Sequence, residues 1–302
     1  MEEAKVARGT ARIGIAGWVY APWRGHFYPE GLVQKNELSY ASEQLGIIEI
    51  NATFRATQKR TSFANWGRQA RDGFVFSIKG PQAVTHIKRL KDCKEPLARF
   101  FASGPLVLGE KLGPFIWQLP PNMKFDPARL EDFLALLPTS IEEYLELAGM
   151  ASGDEDAPQI DTSSIGPIRH AMEARHESFD CGAFRELLAQ HNVAQVIPDT
   201  IQMPRRDVTA DFVYCRLQGP ARDVAKGYEP ADLDNWASQI EEWTSAGKDV
   251  FAFFVHEDKL HAPDNAKALI ERLVQHQKRG TVWQSRLCKA MPSRVYNDGQ
   301  AT

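Results

Sequence analysis

Eight short apolar runs, rich in β-branched and aromatic residues, recur along the chain, and this repetition limits the fold more than any other feature. They read as strands over RIGIAGW (12–18), IIEIN (47–51), FVFSIK (74–79), PFIWQL (114–119), HAMEARH (170–176), AQVIPD (194–199), DFVYCRL (211–217) and DVFAFFVH (249–256). Helical periodicity fills most of the gaps, as in NELSYASEQL, DPARLEDFLALLP, DCGAFRELLAQH with Asp180 as N-cap, and PDNAKALIERLVQ. Strand–helix alternation predicts a parallel sheet, and eight units predict its closure into an α/β (β/α)8 TIM-type barrel. One crossover, over 200–210, is short and interrupted by Pro204, so it is expected to lack a full helix.

A chain of 302 residues fits one such barrel over 12–277. Residues 1–11 are expected to be a flexible N-terminus. Residues 139–167, acidic and then Ser/Gly/Pro-rich, read as a flexible surface insertion, and 278–302 as a C-terminal tail that loses periodicity. The net charge of −3 argues against a protein that coats nucleic acid generally, while leaving a local basic site open. Cys93, Cys181, Cys215 and Cys288 lie far apart without CxxC spacing, which argues against a disulfide framework or a structural zinc site. No signal-peptide pattern opens the chain, and no run reaches the roughly 18 apolar residues of a membrane span. The expected location is cytoplasmic.

Side chains of a strand alternate between two faces, and in a barrel one face packs on the helices while the other points inward. Phe74, Phe76 and Ile78 form an apolar set facing helices, which sends Val75, Ser77 and Lys79 inward. The same parity turns Glu49 and Asn51, Glu173 and Arg175, and Tyr214, Arg216 and Gln218 inward, together with Gln118, Asp199 and His256. Gly14 and Ala16 are the small inward pair on the first strand, which ends at Trp18. Barrel interiors are usually filled by branched apolar residues, and active sites lie at the C-terminal strand ends. Polar residues supplied by one strand after another towards that end predict a ligand site. The alternative is a purely structural network in which Glu49, Glu173 and Asp199 are neutralised by Lys79, Arg175 and Arg216.

Seven motifs, IGIAGWVYAPWRGHFYPEGL (13–32), IEINATF (48–54), FSIKGPQAVTHIKRL (76–90), LGEKLGPFIWQLPP (108–121), EARHESF (173–179), VYCRLQG (213–219) and APDNA (262–266), resemble in this order the YecE-like family, domain of unknown function family 72. The resemblance runs over roughly 12–275 and implies a TIM-type barrel of unassigned activity; a fold by itself does not name a reaction. The chain departs from the family pattern at Gln218, where the family reads Arg-Leu-His-Gly, at Val255–Asp258, and at Arg55. If the family histidine carries protons, Gln218 does not, and His256 is the residue that would compensate.

Three chemistries follow from these residues. Lys79, Arg175 and Arg216, with His86, Lys88, Arg89 and Lys91 on the loop after the third strand, suit a clamp for phosphate or carboxylate. His86, His176, His256 and His261, with Glu49, Glu173, Asp199, Glu257 and Asp258, offer a mixed N/O set for a divalent metal, although no short metal motif supports it. Without a metal, Glu49 or Glu173 would serve as base and His176 or His256 as acid. A Schiff base on Lys79 is disfavoured, because neighbouring carboxylates should keep the amine protonated. The aromatic cluster Trp18, Tyr20, Trp23, Phe27 and Tyr28 either stacks on a ligand ring or forms a hydrophobic lid.

The leading expectation is an enzyme, a hydrolase or lyase, acting on a small anionic ligand or nucleic-acid fragment. Glu49, Glu173, Asp199 and His256 would supply catalytic groups. Trp18, Asn51, Lys79, His86, Gln118, Arg175, His176, Arg216 and Gln218 would bind substrate. The rival is a non-catalytic metabolite-binding or scaffold protein on the same barrel.

Overall fold

The computed structural model describes residues 7–151, 162–199, 206–219, 227–255 and 259–290. Eight parallel strands close into a barrel in sequence order: β1 Ala11–Ala16, β2 Ile47–Ile50, β3 Val75–Lys79, β4 Leu112–Gln118, β5 His170–Glu173, β6 Ala194–Pro198, β7 Phe212–Leu217 and β8 Asp249–Phe254. All eight expected strands are present. Around them lie α1 Glu37–Gln44, α2 Ala52–Arg55, α3 Arg60–Gln69, α4 Lys94–Ala102, α5 Pro127–Leu134, α6 Ile141–Gly149, α7 Gly182–Gln190, α8 Pro230–Ser245 and α9 Ala262–Ala290. Residues 206–211 between β6 and β7 are non-helical, and the rest of that expected loop lies outside the described residues.

Strand parity divides the core into two layers. Ile13, Ile15, Ile48, Ile50, Phe76, Ile78, Trp117, Met172, Val213 and Leu217 face outward under the helices. Inside, Ile47, Val75, Ile116, Ala171, Val196, Phe212, Phe251 and Phe253 fill the barrel floor. Gly14 permits the closure: a Cβ there would stand 1.7 Å from the Ile47 carbonyl oxygen, so only glycine lets β1 meet β2.

Several expected boundaries need correction. Residues 141–149 are not a loose insertion but helix α6. Its Tyr144, Leu147 and Ala148 are buried, and Ser140 and Glu143 form a reciprocal capping box at its start. The acidic composition misled because those charges lie on the outer face of an amphipathic helix. Residues 152–161 of the expected insertion lie outside the described residues. The N-terminal segment is pinned from residue 8, with Arg8 paired to Glu241 and Gly9 N donating to Thr244 O. The last helix continues through Ala290 rather than ending near 277. Cys181, not Asp180, is the N-cap of α7.

Candidate active site

Above the apolar floor, the inward residues of the next layer are polar. Glu49, Ser77, Lys79, Gln118, Glu173, Tyr214 and Arg216 all converge there, and all are buried. Arg216 is the hub. Its two terminal nitrogens reach Glu49 Oε1 at 2.9 Å and Glu173 Oε2 at 2.5 Å. Tyr214 donates its hydroxyl to Glu49 Oε2 at 2.8 Å and shares a 2.8 Å hydrogen bond with Ser77. Gln118 bridges the other side, donating Nε2 to Glu173 Oε2 at 2.8 Å and accepting from Lys79 Nζ at 2.9 Å. Arg175, on the rim and well exposed, donates Nε to Glu173 Oε1 at 2.8 Å.

The charges tune one another. Burial opposes ionisation of Glu173, but the charges of Arg216 and Arg175 with the Gln118 hydrogen bond outweigh it and hold its carboxyl at about 2. Burial also disfavours a charged Arg216, and Glu173 and Glu49 more than compensate, raising its pKa. Lys79 goes the other way: burial lowers it to about 8, against the attraction of Glu49 and with the repulsion of Arg216. The expectation that neighbouring carboxylates favour the protonated lysine holds in direction, since Glu49 and Glu173 raise its pKa, but burial outweighs them. Among the described residues no carboxylate ion-pairs with Lys79, which instead sits 4.6 Å from the centre of the Phe54 ring.

Over this layer opens a cavity of about 300 Å³, lined by Ala16, Trp23, Asn51, Lys79, Arg216 and Val255 among others. Asn51, Lys79 and Arg216 thus stand at the mouth as expected, and Trp23, Phe54 and Arg55 join them. His86 stands beside it with its ring edge-on to Phe54 at 5.0 Å. Burial and the charges of Lys79, Arg175 and Arg89 lower its pKa. The segment after β3 is strained: a π-helical turn over Ala83–Ile87 leads into Arg89, Leu90 and Asp92 with positive φ. Arg89 is tied to Asn122 of the next loop, through both the side-chain and backbone oxygens.

A family model described as "Protein of unknown function DUF72" matches residues 12–288. The chain belongs to this family. A curated relative, the UPF0759 protein YunF of Bacillus subtilis (strain 168), is 22% identical over 288 residues, covering 86% of this chain and 94% of that protein. A DUF72 crystal structure from Thermotoga maritima MSB8 is similar with a TM-score of 0.66 and 25% identity, over 87% of this chain and 99% of the other. A DUF72 structure from Enterococcus faecalis V583 matches with a TM-score of 0.63 at 17% identity, over 87% and 95% of the two chains, a likeness of fold.

Other expected residues of this DUF72 barrel stand elsewhere. Asp199 does not point inward. The inward face of β6 carries Ala194 and Val196, and the Asp199 carboxylate turns to the start of the β7–α8 connection. There it accepts from the Gln218 and Gly219 amides and from the Tyr228 hydroxyl. Burial raises its pKa against those hydrogen bonds. The reason is local: the strand ends at Pro198, and the bare amides of a turning chain attract an acceptor. Trp18 is not at the cavity either; it packs edge-on against Trp66 of α3 at 5.4 Å, on the outer layer. Tyr28 and Phe27 are buried beside it, so most of the aromatic cluster is a lid, and only Trp23 reaches the cavity. His176 Nδ1 accepts from the Ser178 amide and caps a short turn, Glu177–Phe179. His256, Glu257 and Asp258 lie outside the described residues; the inward face of β8 carries Phe251 and Phe253, with Val255 packed against them.

Of the expected metal candidates among the described residues, His261 joins a set of three with ligand spacing, while His86, His176, Glu49, Glu173 and Asp199 join none. Trp23 belongs to the aromatic cluster expected to stack or cover, whereas Phe54 was missed by sequence reasoning. Phe54 lies in α2, just after β2 ends at Ile50, where strand alternation no longer predicts direction. No helix of the described residues is long and apolar enough to cross a membrane, and Cys93, Cys181 and Cys215 are free thiols.

Proposed function

We propose that the barrel mouth is an enzyme site for a phosphorylated or carboxylate-bearing small molecule, with hydrolase or lyase chemistry in which Lys79 transfers the proton. The supporting observation is charge imbalance. Three cations, Lys79, Arg175 and Arg216, face two carboxylates, Glu49 and Glu173, and both carboxylates are held by arginine. Lys79 lines the cavity with one neutral hydrogen-bond partner and an aromatic ring, and the exposed Arg175 gives its Nε to Glu173. An anion completes that arrangement. A lysine at about 8 also titrates close to neutral pH, as an acid–base group should. Glu173, held at about 2, stays ionised and orients Arg216 and Gln118 rather than exchanging protons. A nucleic-acid fragment would enter as one more phosphate-bearing ligand.

The test is calorimetric titration with inorganic phosphate and a panel of sugar phosphates and mononucleotides. Binding should weaken by about tenfold or more in Lys79→Met and in Arg175→Ala, the size expected for losing one charge-assisted contact. It should also fall as pH rises through about 8, where Lys79 loses its charge. Affinity that ignores both substitutions would refute the clamp. The full engagement of Glu49 and Glu173 and the capping role of His176 favour a second reading, a binding protein without turnover. It predicts the same titrations with no product from any phosphoester that binds.

A further inference from the structure

We propose that His26, His261 and Asp264 form a binding site for a divalent first-row transition ion, of the zinc class, on the rim of the barrel. These three come from two distant segments. His26 lies on the loop between β1 and α1, His261 ends the short turn before α9, and Asp264 is in the first turn of α9. Their ligand atoms all lie within 4.8 Å of one another, and no other set of three among the described His, Cys, Asp and Glu residues does so. His26 Nε2 is 2.7 Å from Asp264 Oδ2, and His261 Nδ1 is 3.1 Å from the same oxygen. The two rings stand edge to face with centroids 5.5 Å apart, so neither blocks the other's nitrogen.

Two imidazoles and one carboxylate suit zinc and its first-row neighbours, with water completing the shell. Metal–ligand bonds of about 2.0–2.1 Å at tetrahedral angles space the ligand atoms roughly 3.3 Å apart. The His26–Asp264 separation of 2.7 Å and the His261–Asp264 separation of 3.1 Å would open by roughly half an ångström or less, and the two imidazole nitrogens already lie within 4.8 Å of each other. His26 and Asp264 are exposed enough to do this by side-chain rotation. A purely structural clasp explains the arrangement less well, since it would place two imidazole nitrogens on one oxygen at an exposed rim, where such pairs contribute little. The site also borders the cavity: Trp23 and Ala262, both lining it, are three residues from His26 and one from His261. The inference stands independently of what the cavity takes, because its probe is the metal alone.

Full-length protein without an affinity tag would be titrated with Co(II) and followed by visible d–d absorption, with Zn(II) as competitor. One equivalent should bind saturably and be displaced by zinc. Removing outer-shell partners of metal ligands costs about 10–100-fold, so loss of a direct ligand in His26→Ala, His261→Ala or Asp264→Asn should weaken binding by about 100-fold or more. His191→Gln, a remote histidine paired with Glu131, should bind as the wild type does. Circular dichroism would verify folding of each variant. Absence of saturable one-to-one absorption, or its persistence in a His26→Ala/His261→Ala double variant, would overturn the assignment.

Discussion

At the residue scale, the pair Glu173 and Arg216 decides how the mouth is held together. Arg216 is buried and always charged, so removing one of its two carboxylates strands part of that charge. Glu173→Gln should lower unfolding stability by about 3 kcal/mol, the low end for a broken buried pair, because Glu49 remains. The pH dependence follows from the same carboxylate. Its folded pKa of about 2 lies below its usual 4.5, so its stabilisation is present above 4.5 and lost as pH falls towards 2. Urea melts of wild type and Glu173→Gln should therefore converge across that acid window. Equal stability at pH 7 would show that the buried network contributes nothing net. For Lys79 the slope has the same sign, but the shift is a cost at neutral pH rather than a gain. The unfolded chain holds its proton up to 10.5 and the folded one only to about 8, so wild-type stability should rise between those values relative to Lys79→Met.

At the scale of elements, α6 shows how a segment of unpromising composition becomes structure. Ile141, Tyr144, Leu147 and Ala148 recur at helical spacing, and the last three are buried. The Ser140 hydroxyl accepts from the Glu143 amide, while the Glu143 carboxylate accepts from the Thr139 and Ser140 amides. Ser140→Ala should cost about 1 kcal/mol, the usual value of an N-cap. Thermal denaturation would read it, and an unchanged midpoint would mean that packing alone holds the helix. The capping box was legible in the sequence as Ser-x-x-Glu before an apolar repeat. It was obscured by the acidic and Gly-rich stretch that follows at 149–156.

For the whole molecule, barrel closure rests on backbone contact at Gly14 as much as on side-chain packing. A Cβ at Gly14 would meet the backbone oxygen of Ile47, which cannot move without parting β1 from β2. Gly14→Ala should therefore cost several kcal/mol, beyond the roughly 1 kcal/mol typical of single substitutions, or abolish folding. Gly149→Ala, in a helix with nothing near its added carbon, should stabilise by about 0.5–1 kcal/mol. Comparing the two by chemical denaturation separates close backbone approach from the general cost of glycine. Similar effects at both sites would show that closure does not depend on Gly14.

The sequence by itself determined the eight strands, their parallel order and the inward direction of Glu49, Lys79, Gln118, Glu173 and Arg216. Period-two alternation within a strand is a local rule, and a closed barrel gives each face one fate. It stopped at strand ends. Asp199 turned to the amides at Gln218 and Gly219, and Trp18 turned to Trp66, because beyond the ladder a side chain follows whichever partner the folded loops supply. Only the tertiary structure decided that Arg216 would claim both carboxylates and that burial would lower Lys79 to about 8. It also brought His26 to His261 and Asp264 across more than 230 residues. Such choices depend on distances between segments remote in the chain, and no local spacing encodes them.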